Sequence, residues 1–271
     1  MREFENLKIG VLILFFGIGS FCFGQEDLCR TNVLDEDEIL SENKSNEYLN
    51  YDFSTIWTKT ENQFIYGIIG EEYQRIHIKF LTVTKNQNNY NEYFVIGKSM
   101  VKDNICDFQG KIIIEKIQLR KNLYFGVDDE FKNEIKNQGI LIASYQFFEN
   151  KNQTHSGMFE GKLQSKWILD NQNDIQYDDS DLISDGYFNN AFVGTWKSYE
   201  KDIVKICNWG DYRVPNVDCK FDIGVAEFNV DAEKYASKGW LDVILANRMT
   251  NCLEIQEAKP PADYVYKEWW E

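Results

Sequence analysis

The stretch YQRIHIKFLTVT, residues 73–84, sets Ile76, Ile78 and Phe80 on one face of an extended chain and Arg75, His77 and Lys79 on the other. A period of two is the pattern of a strand with one buried side. NEYFVIGKSMV and ICDFQGKIIIEKIQL continue it, separated by the turn-forming KNQNN and KDN. After a short polar insert with helical character at DDEFKNEIKNQ, the pattern resumes as GILIASYQFFE, the turn NKNQ and HSGMFEGKLQSKWIL, a second long hairpin. DFQGKI and MFEGKL share the frame F-x-G-K-aliphatic, each inside a strand, where glycine marks a bend of a curled sheet. The expected fold is mainly β, an antiparallel up-and-down barrel or strongly curled meander sheet with a C-terminal helix, the sheet occupying residues 51–230.

The period changes at Asp231, which has the chemistry of an N-cap. AEKYASKGWLDVILANRMTNCLEIQEA then reads as helix, bent at Gly239 and stopped by Pro260 and Pro261, with Trp240, Val243, Ile244 and Met249 near one face. That face is expected to pack on the sheet or to plug one barrel end. Trp269 and Trp270, in the tail DYVYKEWWE, are expected to fold back, so residues 231–271 belong to the same domain as the sheet.

At the other terminus, Ile9 to Gly24 is an uncharged run shorter than the roughly 18 residues of a membrane-spanning helix, and the polar QEDLCR follows it. Cys22 and Gly24 place small residues three and one positions before Gln25, as a signal peptidase requires. Residues 1–24 are thus expected to be a signal peptide, the protein to be exported (periplasmic or secreted), and no integral membrane span to remain after removal. A lipid anchor at Cys22 is the weaker expectation, because bulky Phe21 precedes it. Residues 25–50 are polar and acidic and are expected to form a flexible leader.

The formal net charge of −15 disfavours phosphate backbones and anionic membranes, so nucleic acid is not an expected partner. It suits a solvated surface or a cationic protein partner. Of six cysteines, Cys22 falls in the signal segment; among the remaining five, Cys207 and Cys219 bracket NWGDYRVPNVD and are the best-placed pair for a disulfide. No C-x-x-C pair occurs and the two histidines are isolated, so no metal site and no cofactor is expected.

Residues 192–197, FVGTWK, resemble the first-strand motif of the calycins, the lipocalins and fatty-acid-binding proteins. In those families the glycine lets the strand bend and the tryptophan packs across one end of the barrel, places that Gly194 and Trp196 would take here. The resemblance implies an up-and-down barrel and a small apolar or amphipathic ligand.

Catalytic signatures are missing: there is no G-x-S-x-G, no H-E-x-x-H and no phosphate loop. Carboxylate pairs for a hydrolase could come from Asp128, Asp129 and Glu130 or from the run Asp174 to Asp185, but such pairs are defined by separation in space. The candidate binding surface is CNWGDYRVPNVDC, where Trp209, Tyr212 and Arg213 are residue types enriched at contact hot spots and Gly210 with Asp211 makes a turn. Three functions are therefore expected in order: a non-enzymatic, calycin-like binder with an enclosed apolar cavity; an interaction module, such as an inhibitor or immunity factor for a cationic protein, with a filled core and an acidic face; and a hydrolase with two converging acids.

Overall fold

Alternation along the chain is realised as ten strands among the residues that the computed structural model describes, 41–250 and 268–271. The expected signal peptide, the leader up to residue 40 and the helix beyond residue 250 lie outside the described residues, as does the side chain of Met249. In chain order the strands are β1 (Ile65–Ile69), β2 (Gln74–Arg75), β3 (His77–Lys85), β4 (Glu92–Val101), β5 (Asn104–Leu119), β6 (Ile135–Glu149), β7 (Gly157–Asp170), β8 (Ile175–Tyr177), β9 (Asn189–Ser198) and β10 (Val204–Asp211). In β5 the period of two is plain: Cys106, Phe108, Ile112 and Ile114 are buried, and Asp107, Gln109, Lys111 and Glu115 are exposed. β6 begins at Ile135, inside the insert expected to have helical character, and the residues before it form turns. Ile135 is buried against β7, and that pairing outweighs the polar local composition.

Every paired strand is antiparallel to its neighbour, in the order β2-β1-β10-β9-β7-β6-β5-β4-β3, with β8 added beside β7. The first and last members of this path, β2 and β3, are consecutive in the chain and separated only by Ile76. The sheet therefore curls round until its edges meet. Across this seam the Ile76 amide donates to the Gly67 carbonyl at 3.1 Å, and Asn62 Nδ2 donates to the Ile78 carbonyl at 2.7 Å.

Tight curling brings strand backbones close together, and the two F-x-G-K segments sit where this happens. Gly110 on β5 and Gly161 on β7 both flank β6, opposite Phe147 and Tyr145. A Cβ at Gly161 would lie 2.2 Å from the Val193 carbonyl oxygen, and one at Gly194, its partner on β9, would lie 2.1 Å from that of Glu160. Only glycine fits such a crossing.

Inside, the barrel is filled. Phe80, Phe108, Tyr145, Phe147, Phe159 and Phe192 pack around Trp209, whose ring stacks on Phe192 at 4.6 Å. One end is plugged by the chain before β1. Ser41 and Lys44 amides donate to Leu119 and Ile117 on β5, and a short helix, α1 (Ser45–Tyr48), leads to buried Phe53, Ile56 and Trp57. Trp57 Nε1 donates to Ser165 at 3.0 Å, and Tyr93 Oη accepts from the Phe53 amide at 3.1 Å. Residues 41–50, expected in the leader, thus lie against the sheet, because Tyr48 finds Trp167 at 5.1 Å and buries there.

At the C-terminal end Asp231 caps α2 (Ala232–Tyr235), accepting from the Glu233 and Lys234 amides, and Gly239 breaks the helix at φ +90° before α3 (Leu241–Thr250). Trp240, Val243 and Ile244 join Ile68, Val214, Val217, Phe221 and Phe228 in a second core on the outer side of β1. This layer explains why Arg75 is buried and His77 half-buried, although the strand pattern alone put both on a solvated face. The Arg75 guanidinium lies 4.3 Å from the Trp240 ring and 3.5 Å from Asp242. Trp269 folds back over the seam, donating to Asn62 Oδ1 at 2.9 Å beside His77, and Lys79 sits 4.7 Å over Trp270. Among the described residues no helix is long and apolar enough to cross a membrane.

Candidate functional site

The segment expected to be a stapled recognition loop is instead strand β10 followed by a turn. C-x-W-x-D is itself a period of two, and it points Cys207, Trp209 and Asp211 inward, where they are 0%, 2% and 4% exposed. Tyr212 leaves the strand at φ +65° and is half-buried, stacked on Phe64 and edge-on to Tyr187. Arg213 is buried: Nη1 donates to Asp222 at 2.5 Å and Nη2 to the Ala226 carbonyl at 2.7 Å. Trp209, Asp211, Tyr212 and Arg213 are close in the chain, but Trp209 faces the barrel core and Asp211 the plug, and the Asp211 carboxylate and the Arg213 guanidinium are taken up by buried partners.

Cys207 is a free thiol, so the expected Cys207–Cys219 disulfide is not formed. Its side chain lies in the barrel core beside Trp209, whereas Cys219 sits in the segment between Val217 and Phe221 of the second core. Burial pushes the Cys106 thiol up to about 11 and that of Cys207 higher still. Both are expected to resist thiol reagents at neutral pH in the native protein and to react in denaturant without prior reduction, which peptide mapping checks. A Cys207 that stays unlabelled in denaturant would restore the disulfide.

A different region has the form of a binding site. At the end of the barrel opposite the plug, the strand ends leave an open cup of about 950 Å³. Ile69, Ile76, Phe159, Trp196 and Ile206 supply its apolar wall, and Glu71, Glu72, Lys102, Asp103, His155 and Lys205 its polar rim. Trp196, in this wall, is 9% exposed and shares β9 with Gly194, which lies outside the lining.

At its floor lies Glu149, the last residue of β6, which is only 5% exposed. Its Oε2 accepts from Trp196 Nε1 at 2.9 Å and from the Gly157 amide at 2.7 Å, and its Oε1 accepts from the Ser99 hydroxyl. Burial raises the Glu149 carboxyl above the ordinary glutamate range, and those three donors pull it part of the way back. Sequence reasoning missed this residue, because its only local signal is a glutamate ending an apolar run.

Among the described residues, Glu149 has no second buried acid beside it in the cup, and Asp211 lies far from it. Asp211, at the far end of β10, accepts from Asn190 at 2.7 Å, Thr60 at 2.8 Å and Tyr177 at 3.0 Å beside the plug, at the opposite end of the barrel from Glu149. Asp128, Asp129 and Glu130 lie in a surface turn, and the run from Asp174 to Asp185 contains β8, whose Ile175 and Tyr177 are buried against the sheet. Compared with known proteins, the chain matches no family model, no curated protein and no solved structure.

Proposed function

We propose that this is an exported, non-enzymatic binding protein that holds a small amphipathic ligand in the cup at the open end of its curled sheet. The observation that carries the reading is the asymmetry of the barrel. One end is plugged and the middle is filled by aromatic rings, while the other end keeps an apolar-walled concavity with buried Glu149 and Ser99 at its floor. Small-molecule sites have this make-up, and the mouths of barrels are common places for them. The filled middle limits the ligand to one that seats in the cup, so the fully enclosed cavity expected of a calycin-like binder is replaced by a shallower one. The calycin-like reading of Gly194 and Trp196 remains part of this proposal.

The neutral fluorophore N-phenyl-1-naphthylamine is expected to bind at one saturable site with a Kd on the order of 10 µM, as its size allows. Val101→Trp, which fills the cup from the end of β4, is expected to weaken binding at least tenfold with little change in the unfolding midpoint. Unsaturable binding, or binding indifferent to that substitution, would overturn the reading.

An interaction module is the second reading, and the filled core favours it. Phe94, Ile96, Ile113 and Phe148 stay exposed on the outer sheet face around a trough of about 980 Å³. The net charge of −15 would direct such a module to a cationic protein.

A further inference from the structure

We infer that Glu149 makes the cup selective for a cationic amphiphile, a ligand carrying an ammonium group on a short apolar body. This rests on the cup being the ligand site. The three groups that contact the carboxylate, the Ser99 hydroxyl, the Trp196 indole N–H and the Gly157 amide, are all neutral. Two of them, on Oε2, can only donate, so that oxygen is held as an acceptor, while the Ser99 hydroxyl can donate to an ionised Oε1 or accept from a protonated one. No lysine, arginine or histidine among the described residues pairs with Glu149, and the rim cations Lys102 and Lys205 line the same cup without reaching it. A buried charge that is hydrogen-bonded but unpaired is costly, and an incoming ammonium relieves that cost.

The surroundings favour the same class of ligand. Glu72 is paired with Lys238 at 2.9 Å, and the remaining rim acids Glu71 and Asp103 join Glu149 against Lys102 and Lys205, a negative balance that attracts cations and repels carboxylates and sulfates. Trp196 and Phe159 also line the cup, and a cation seated over either ring would gain further attraction. The apolar remainder of the ligand would lie against Ile69, Ile76 and Ile206.

Calorimetric titration of the intact protein with n-octylammonium, n-octanol and octanoate, which share one apolar body, tests the inference. Octylammonium is expected to bind at least tenfold more tightly than octanol, and octanoate more weakly than either. Glu149→Gln is expected to remove the ammonium advantage while leaving octanol affinity within about threefold. The wild-type ratio of octylammonium to octanol needs no variant, so the test stands even if Glu149→Gln folds poorly. Octanoate binding as tightly as octylammonium, or an ammonium advantage that survives Glu149→Gln in folded protein, would overturn the inference. If octanol binds and Val101→Trp blocks it but octylammonium gains nothing, the charge selectivity alone is wrong. If none of the three binds, or if Val101→Trp leaves octanol binding intact, the cup itself is not the site and both readings fall.

Discussion

Replacing Arg213 by Ala is expected to lower the unfolding free energy by about 3–5 kcal/mol, the usual loss when one partner of a buried ion pair is removed. Arg213 and Asp222 are 7% and 5% exposed, and the Asp222 carboxylate also accepts from the Gly224 and Asn229 amides. Without Arg213 the carboxylate keeps its backbone donors but loses its counter-charge, and the Ala226 carbonyl loses a donor. The segment from 213 to 230 that this pair ties down carries Val214, Val217, Phe221 and Phe228 of the second core, so the damage spreads to the packing under α3. Removing both charges with apolar side chains of similar volume, as in Arg213→Met with Asp222→Leu, is expected to cost clearly less than Arg213→Ala, because no buried charge is then left alone. Urea unfolding followed by circular dichroism measures both. A loss under about 1 kcal/mol for Arg213→Ala would mean that the pair is solvated, and the arginine would again be available as a contact residue.

Arg213 also shows where reading the chain stops. Its type and its place after a glycine-containing turn suggest a surface contact, and nothing local announces Asp222 as a buried partner. Features that depend on neighbours in the chain were legible: the period of two in β3 to β7, the N-cap at Asp231 and the break at Gly239. Features that depend on distant residues were not. Asp211 is buried because Thr60 and Tyr177 reach it, and Arg75 because α3 brings Trp240 and Asp242 over β2. The cup is the extreme case, since β1, β4, β7, β9 and β10 all contribute to its wall. In CNWGD the alternation was present, but the two flanking cysteines and the Gly-Asp pair read more strongly as a stapled turn. The physical arbiter was burial of Trp209 against Phe192, which no local pattern encodes.

Asp211 sets the second large effect. Burial lifts its carboxyl from 3.8 to about 7, while hydrogen bonds from Thr60, Asn190 and Tyr177 pull the other way. In the unfolded chain an aspartate titrates near 3.9, as model peptides do. Between those values the native state keeps a proton that the unfolded state releases, so the stabilisation is fully present below about pH 4 and is lost as pH rises through about 7. The gap corresponds to about 4 kcal/mol, an order-of-magnitude figure. Glu149, also raised by burial, shifts stability in the same direction. The protein is therefore expected to be most stable in mildly acidic solution. Asp211→Asn should flatten the decline between pH 5 and 8 and make the protein more stable than wild type at pH 8, by about 2–4 kcal/mol. The substituted amide can accept from the same hydroxyls, and it can donate to Asn190 Oδ1, which has no hydrogen-bond partner. Urea midpoints across that pH range decide the matter. If Asp211→Asn is instead less stable than wild type at pH 8, the ionised carboxylate is the form the cluster is built to hold. The plug would then be fastened to the barrel most firmly at high pH, because Thr60 belongs to the chain before β1, and Asn190 also donates to the Ile56 carbonyl within it.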